Sequence, residues 1–303
     1  MLVSVVVITY NHEKYIEETI ESILMQKGNF EIEILIGNDN SPDNTKEILE
    51  KYSTNNKIKI INREKNIGAT RNLLDLLLKS QGEYIAILEG DDYWTDELKI
   101  SKQLKILEKD KGCILCYTDS DIINKKYEII GKKSCSREKI SNLVSMFINM
   151  AGIPTGSILF KNIFKENLEI EKIKKLLTSG NLIGDLSLYA CLIKYGTFKK
   201  LKEVTGIWRV ITEEGATSYT SRKDLYKKLE LYKVTSGIKE YYQNDNKLYL
   251  KLLVERRKYE LLKEIKKANK KIEEFGIKKS SNSYSIMKPI YDLILSCYKR
   301  RYQ

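Results

Sequence analysis

Apolar and polar positions follow two alternating periods in the first part of the chain. Residues 2 to 9, LVSVVVIT, form a nearly continuous valine-rich run, which predicts a strand buried on both faces. In the segment after it, Ile16, Ile20, Ile23 and Leu24 recur at helical spacing, with Glu17, Glu18 and Glu21 on the other face, so an amphipathic helix is expected. The alternation repeats as strands over 31–37, 57–61 and 83–88 and helices over 43–52 and 69–80. Such βα units predict an α/β domain with a mostly parallel sheet.

Next come a predicted helix from Asp96 to Lys109, with Thr95 as its N-cap, and a strand over 113–118. Residues 119–150 carry mixed signals, 156–160 read as a strand, and 185–196 as a helix ending in glycine. From 222 to 275 the pattern is helical and charged, with Leu225, Leu229, Tyr232, Leu252, Tyr259, Leu262 and Ile265 as candidate buried positions. Two regions are expected: an α/β domain over 1–221 and a basic helical C-terminal extension over 222–303, within which KKSSNSYS (278–285) reads as a linker.

Composition narrows the classes. With 303 residues, 42% hydrophobic and 31% charged, the chain can build proper cores, which excludes disorder as its main state. No apolar run is long enough to span a bilayer. Five irregularly spaced cysteines with no leader ahead of them point to a reducing, cytoplasmic setting rather than a disulfide framework. Cys113 and Cys116 have the spacing of a redox or metal pair, but within an apolar strand they read as core. The net charge of +12 lies wholly in the last region: residues 1–221 hold 31 basic and 31 acidic side chains, and residues 222–303 hold 22 and 10. An anionic partner of the extension is the natural reading, and nucleic acid is disfavoured because the first region is neutral and no binding motif is present.

In a parallel sheet the strands end on one edge, and ligands of open α/β folds bind there. That edge receives Thr9-Tyr10-Asn11-His12, Asn38-Asp39-Asn40-Ser41, Arg63 to Arg71, and Glu89-Gly90-Asp91-Asp92. Three carboxylates in four residues suit an oxygen-loving divalent ion, Mg²⁺ or Mn²⁺, which would bridge to a diphosphate that the acidic groups alone would repel. A solvated turn before a helix is the plainer reading of the same residues, though a buried strand before them and Tyr93-Trp94 after them favour the site. Asp39 is placed to accept a hydrogen bond from a nucleobase N–H, or to serve as a turn residue. Neither GxGxxG after the first strand nor GxxxxGK[ST] occurs, which argues against nicotinamide and P-loop chemistry.

In that order and spacing, SVVVITYN, NDNSPDNT, NIGATRN and LEGDDYW resemble the family 2 glycosyltransferases of the GT-A fold. The resemblance is strong over residues 3–110 and continues more faintly through IPTGSILF, IGDLSLY and GIWRVITEEGATS to about 218. It implies an inverting enzyme that moves a sugar from a nucleoside diphosphate, UDP-linked in this reading, to an acceptor hydroxyl of a glycan, a lipid-linked glycan or a protein Ser/Thr. Position by position, it implies that Thr9, Tyr10 and Asn11 line the nucleoside, Asp39 meets the base and Arg71 lies near the nucleotide. Glu89-Gly90-Asp91 stands where the family has DxD, with Asp91 as metal ligand and Asp92 beside it. Two departures are present: the first aspartate of that motif is Glu89, and the paired aspartates after the second strand are Asn38-Asp39. Asp185 matches the general base, with a plain helix cap as its alternative, and Trp208-Arg209 match a segment that closes over the donor phosphates, with an apolar residue anchoring a strand and an arginine in a salt bridge as their alternative. His12 reads either as a group touching the diphosphate or acceptor or as a half-buried histidine.

A sugar-nucleotide pyrophosphorylase would want a glycine-rich arginine loop after the first strand, and a non-catalytic nucleotide-sugar-binding protein would have no use for both the acidic turn and Asp185. In the tail, Ile286, Ile290, Leu293, Ile294 and Cys297 fall near one helical face ahead of Lys299, Arg300 and Arg301. That stripe suits either an anionic membrane surface, which would make the protein peripheral at the inner face, or a homodimer.

Overall fold

A computed structural model of the chain describes residues 1–149, 152–165, 168–180, 184–210, 224–243 and 247–267. Strands β1 (Leu2–Thr9), β2 (Glu31–Asn38), β3 (Ile58–Asn62) and β4 (Tyr84–Glu89) pair in parallel in the order β3-β2-β1-β4. Helices α1 (Ile16–Leu24), α2 (Thr45–Glu50) and α3 (Ala69–Lys79) cross between them, as parallel pairing requires.

The chain continues through β5 (Tyr93–Trp94), α4 (Lys99–Lys109), β6 (Cys113–Ile123), β7 (Ile129–Lys133), β8 (Lys139–Ile140), α5 (Leu143–Asn149), a 3₁₀ turn at Thr155–Ser157, β9 (Leu159–Lys161), α6 (Ile170–Leu177), α7 (Gly184–Leu192) and β10 (Thr197–Arg209). These strands extend the sheet as β4-β9-β6-β10-β5. Because β9 is antiparallel to both β4 and β6, β6 and its parallel neighbour β10 run in the direction of β4. The long pairings are therefore parallel, and the C-terminal ends of β1, β2, β4, β6 and β10 lie on one edge.

Two local expectations are corrected. Thr95 does not cap α4; its N–H donates to the carbonyl of Thr205, and the helix begins at Lys99 behind Asp96, whose carboxylate accepts from the N–H of Leu98. The mixed signals after residue 118 resolve into an extension of β6 to Ile123 and a return through β7. Period 2 is hard to read there because β6 is paired on both sides, with β10 and β7, so that the polar Asp119 and Ser120 are buried along with Ile123, while the apolar Ile129 and Ile130 of β7 are exposed.

The sheet is sandwiched. Val3, Val5, Val7, Ile34, Ile36 and Leu88 pack on one face against α1, α2 and α4, and Val6, Leu35, Ile85 and Ile87 pack on the other against α3, α6 and α7. Helices α8 (Asp224–Tyr242) and α9 (Lys247–Lys267) join that second layer. The predicted positions Leu225, Leu229, Tyr232 and Leu262 form the seam of α8 with α9. A second face of α8, Val234, Ile238, Tyr241 and Tyr242, is buried in the main core, with the Tyr242 hydroxyl donating to the carbonyl of Ala190 at 2.8 Å. Packing on two sides explains why one apolar stripe could not describe this helix.

Candidate active site

The edge predicted from topology is assembled by hydrogen bonds between loops. After β1, the N–H groups of Asn11, His12 and Glu13 donate to Ser41 Oγ, Thr45 Oγ1 and Asp43 Oδ2 at 3.0, 3.0 and 2.9 Å. Glu13 in turn accepts from the N–H of Asn44 at 3.0 Å. The polar run after β2 thus stitches the first two loops together, and Asn11 adopts a left-handed conformation (φ 61°) in this turn.

Asp39 is buried, and its two carboxylate oxygens accept from the N–H groups of Ile67 and Gly68, each at 2.8 Å. Gly68 has φ +88°, which a side chain would strain, and it leads into α3. The carboxylate therefore shapes the loop after β3, with further lone pairs left to accept. Arg71 is exposed in the first turn of α3, beside that loop, and makes no ion pair with a described residue. Arg63 instead faces inward, pairing with Asp75 at 2.6 Å and donating to Asn72 Oδ1 at 3.1 Å, which clamps α3 to the end of β3.

At the end of β4 the chain turns through Glu89-Gly90-Asp91-Asp92, the N–H of Asp92 donating to the carbonyl of Glu89 at 3.0 Å. Gly90 is required by close approach: a Cβ there would lie 2.7 Å from Thr9 Oγ1 and 2.8 Å from His12 Nδ1. His12 Nε2 stands 3.8 Å from Asp91 Oδ2, so the histidine borders the acidic turn. The three carboxylates have unequal environments. Burial, then the Asp91 charge, pushes Glu89 up to about 7, with Lys133 opposing and Asp185 adding to the rise. Burial and the charges of Asp91 and Glu89 push Asp92 well above the usual carboxylate range, although its Oδ1 accepts from the N–H of Arg209 at 2.8 Å. The Asp91 side chain remains partly exposed on the rim.

Trp208 and Arg209 end β10 at this turn. The Arg209 guanidinium is buried: Nη1 donates to the carbonyl of Asp91 at 2.8 Å, Nη2 to Glu18 Oε2 at 2.7 Å, and its plane lies 4.4 Å from the ring centroid of Tyr15. In this geometry Arg209 buttresses the acidic turn from within. The remainder of the expected closing segment, 211–223, lies outside the described residues.

Asp185 occupies the first turn of α7, and its Oδ1 accepts from the N–H of Leu186 at 2.7 Å. Burial raises its carboxyl above the ordinary range, and Lys133 draws it down. The buried Tyr189, one helical turn beyond Asp185, is pushed up first by burial and then by the charges of Asp185 and Glu89. Asp185, Glu89, Lys133 and Tyr189 therefore share one electrostatic neighbourhood on the rim.

Lys133, absent from the sequence expectations, sits at the end of β7 with its ammonium 4.5 Å from the Trp208 ring centroid. It lay in the stretch of mixed signals, and only strand register brings it here. Tyr189 was visible as the residue four places beyond Asp185. Gly156, in the 3₁₀ turn, is the other omission; a Cβ there would lie 3.7 Å from Glu89 Oε2 and 3.9 Å from Asp92 Oδ2. Trp94 Nε1 donates to the Gly156 carbonyl at 2.7 Å and fixes that turn beneath the carboxylates.

The arrangement can hold a polyanion through a bridging cation, and it sets a raised carboxylate beside that position. The family model described as "Glycosyl transferase family 2" matches residues 4–168. An uncharacterised protein of Mycobacterium tuberculosis is 40% identical over 116 residues, which are 38% of this chain and 34% of that protein. The chain thus spans about a third of the length of the first curated relatives it matches. WfaP of Escherichia coli, named as a UDP-Glc:alpha-D-GlcNAc-diphosphoundecaprenol beta-1,3-glucosyltransferase, is 39% identical over 111 residues, 36% of this chain and 43% of that protein. The structure of S. aureus TarS residues 1–349 in complex with UDP-GlcNAc superposes with a TM-score of 0.63 at 16% identity, covering 87% of this chain and 73% of that one. That likeness establishes the GT-A fold.

Proposed function

As the chain belongs to glycosyl transferase family 2, we propose that it moves a sugar from a UDP-linked donor to an acceptor hydroxyl with inversion at the anomeric carbon. The observation that carries this reading is the meeting, on one sheet edge, of the acidic turn at the end of β4 with Asp185 at the start of α7. WfaP and TarS, through a UDP sugar in each printed name or title, support the choice of donor. The acceptor is proposed to be a glycan, lipid-linked or polymeric, ahead of a protein Ser/Thr hydroxyl.

In this mechanism the nucleoside lies along Thr9, Tyr10 and Asn11, with the base near Asp39 and Arg71 at the nucleotide's edge. Asp185 accepts the proton of the acceptor hydroxyl as its oxygen attacks the anomeric carbon opposite the diphosphate. The new C–O bond forms as the bond to the diphosphate oxygen breaks. A carboxylate raised by burial is a better base than a free aspartate, which offsets the stabilisation of its anion by the helix N-terminus. Lys133 opposes that rise and favours the ionised carboxylate, and Trp208 limits where the ammonium sits.

The residues present fit a divalent Mg²⁺ or Mn²⁺ ion. Asp91, Glu89 and Asp92 crowd three acidic groups whose mutual repulsion a cation would relieve. Among the described residues no three His, Cys, Asp or Glu side chains form a ready-made metal cluster. Such a set suits an ion that takes most of its ligands from phosphate and water. Asp91 would hold it, with Glu89 and Asp92 close behind, and when bound it would supply counter-charge to the departing diphosphate.

No helix among the described residues is long and apolar enough to cross a membrane. From the irregularly spaced cysteines and the basic extension, we propose a cytoplasmic enzyme, peripheral at the membrane's inner face. The tail stripe from Ile286 to Arg301, offered above as membrane-binding or dimerising, lies outside the described residues. The test is incubation of the full chain with UDP-Glc, UDP-GlcNAc and GDP-Man plus Mn²⁺, following nucleoside diphosphate release and acceptor labelling. Pyrophosphate-dependent formation of a nucleoside triphosphate would make the protein a pyrophosphorylase, and donor binding without turnover would make it a binding protein.

A further inference from the structure

The β6–β7 hairpin turns at the edge of the sheet that carries the site. β6 runs in the direction of β4, so Ile123 and Glu89 end on the same side, and the Tyr127 ring at the tip lies 5.1 Å from the Arg209 guanidinium that holds Asp91. The turn is fixed by Asn124, whose Oδ1 accepts from the N–H of Lys126 at 2.9 Å and of Glu128 at 3.1 Å, and whose Nδ2 donates to the Glu128 carboxylate at 2.7 Å. Tyr127 is held with φ 61°, an uncommon conformation for a bulky residue.

What this rigid tip presents is unlike the rest of the described surface. Tyr127, Ile129 and Ile130 are 55%, 66% and 57% exposed, a cluster of large apolar side chains within four residues. Lys125 and Lys126 precede them and Lys132 and Lys133 follow, Lys132 paired with Asp119 at 3.3 Å and Lys133 seated over Trp208, while Glu128, the acidic residue between the two lysine pairs, has its carboxylate engaged by Asn124. Two adjacent isoleucines offer nothing to a sugar, which is recognised by hydrogen bonds and aromatic faces. Aliphatic and tyrosine side chains ringed by lysines match the boundary between phospholipid headgroups and acyl chains, where apolar groups sink in and ammonium groups meet phosphate.

We propose that the β6–β7 hairpin is a membrane-docking tip that seats the site edge against an anionic lipid surface. This goes beyond the glycosyl transfer reading and does not depend on it, since vesicle binding requires neither donor nor turnover. If both hold, an acceptor anchored in the bilayer arrives on the side of the protein where Asp185 stands.

Flotation of the full chain with phosphatidylcholine vesicles, and with vesicles containing phosphatidylglycerol, tests the proposal. The parent chain should bind the anionic vesicles, and Ile129→Ser with Ile130→Ser, or Lys125→Gln with Lys126→Gln, should weaken binding roughly tenfold or more, leaving nucleoside diphosphate release from soluble donor unchanged. Should the paired substitutions disturb folding, Ile130→Cys in a Cys297→Ser background, labelled with an environment-sensitive dye, gives a second measurement: its emission should shift to the blue on anionic vesicles. A parent chain that stays unbound, a serine variant that binds as well as the parent, or a dye that does not respond would each overturn the proposal. So would a dimer, seen by light scattering without lipid, that the serine substitutions dissolve.

Discussion

Arg209 Nη1 donates to the main-chain carbonyl of Asp91 at 2.8 Å, joining the end of β10 to the acidic turn across 118 positions of sequence. With the Glu18 pair and the aromatic rings around it, this bond sets the course of the backbone on which Asp91 is presented. Replacing Arg209 by Met should lower unfolding stability by about 2–3 kcal/mol, a figure kept modest because Glu18 is partly solvated once released. Arg209→Lys should recover little, since one ammonium cannot span the two acceptors of the guanidinium fork. Urea unfolding midpoints of both variants are the measurement; a midpoint for Arg209→Met matching the parent would remove the buttress role.

Asp91→Asn should abolish the gain in nucleotide affinity that Mn²⁺ gives while leaving metal-free binding in place. The amide keeps the shape of the side chain but gives up the charge that a hard cation requires. Titration calorimetry with UDP, with and without Mn²⁺, reads this directly. Equal metal-dependent affinity in parent and variant would move the ion to Glu89 or Asp92.

Asp185→Asn retains an oxygen for the N–H of Leu186 but cannot take a proton. Turnover should fall by about 10²- to 10⁴-fold while donor affinity and thermal midpoint hold. A near-normal rate would return Asp185 to the role of helix cap.

The acid limb of the rate profile should lie above the usual aspartate range, because burial raises Asp185 and the enzyme needs it ionised. Activity is lost as pH falls through that raised value. Lys133 stabilises the ionised form, so Lys133→Met should move the limb to higher pH, and Lys133→Arg should restore it. A purely structural lysine would change the height of the profile and not the position of its acid limb.

The parts of this site that could be read in the sequence are those set by topology. A run such as LVSVVVIT can only be a strand buried on both faces, and four such strands with crossovers fix the edge where Thr9, Asp39 and Asp91 come to lie. Glu89 and Asp92 were visible as acidic residues, but their raised carboxyls depend on burial, which the sequence does not state. Lys133 and Arg209 were harder for a different reason. Their places follow from pairing of β6 with β7 and β10, and that register includes irregularities between Lys200 and Gly206 that no periodicity announces. Arg209 also shows how a matched position can turn inward, since a guanidinium with a carbonyl, a carboxylate and aromatic faces within reach has its fork occupied.

Beneath the acidic turn, Lys99 offers the sharpest test of stability. It is fully buried, its ammonium 4.3 Å from the ring centroid of Trp94 and 2.7 Å from Gln103 Oε1, and burial brings it down to about 7. The unfolded chain holds that proton up to the ordinary lysine value of about 10.4, so between the two the unfolded state binds more protons than the folded one. Stability therefore rises with pH across this window, by up to about 1.4 kcal/mol per unit from this group. Lys99→Met fills the same space without a charge, so it should be at least as stable as the parent at pH 7 and show a flatter dependence from pH 7 to 9.5. Urea unfolding at both pH values compares the two chains. Parallel pH dependences in parent and variant would mean that the Trp94 face and Gln103 keep the ammonium charged in the folded state.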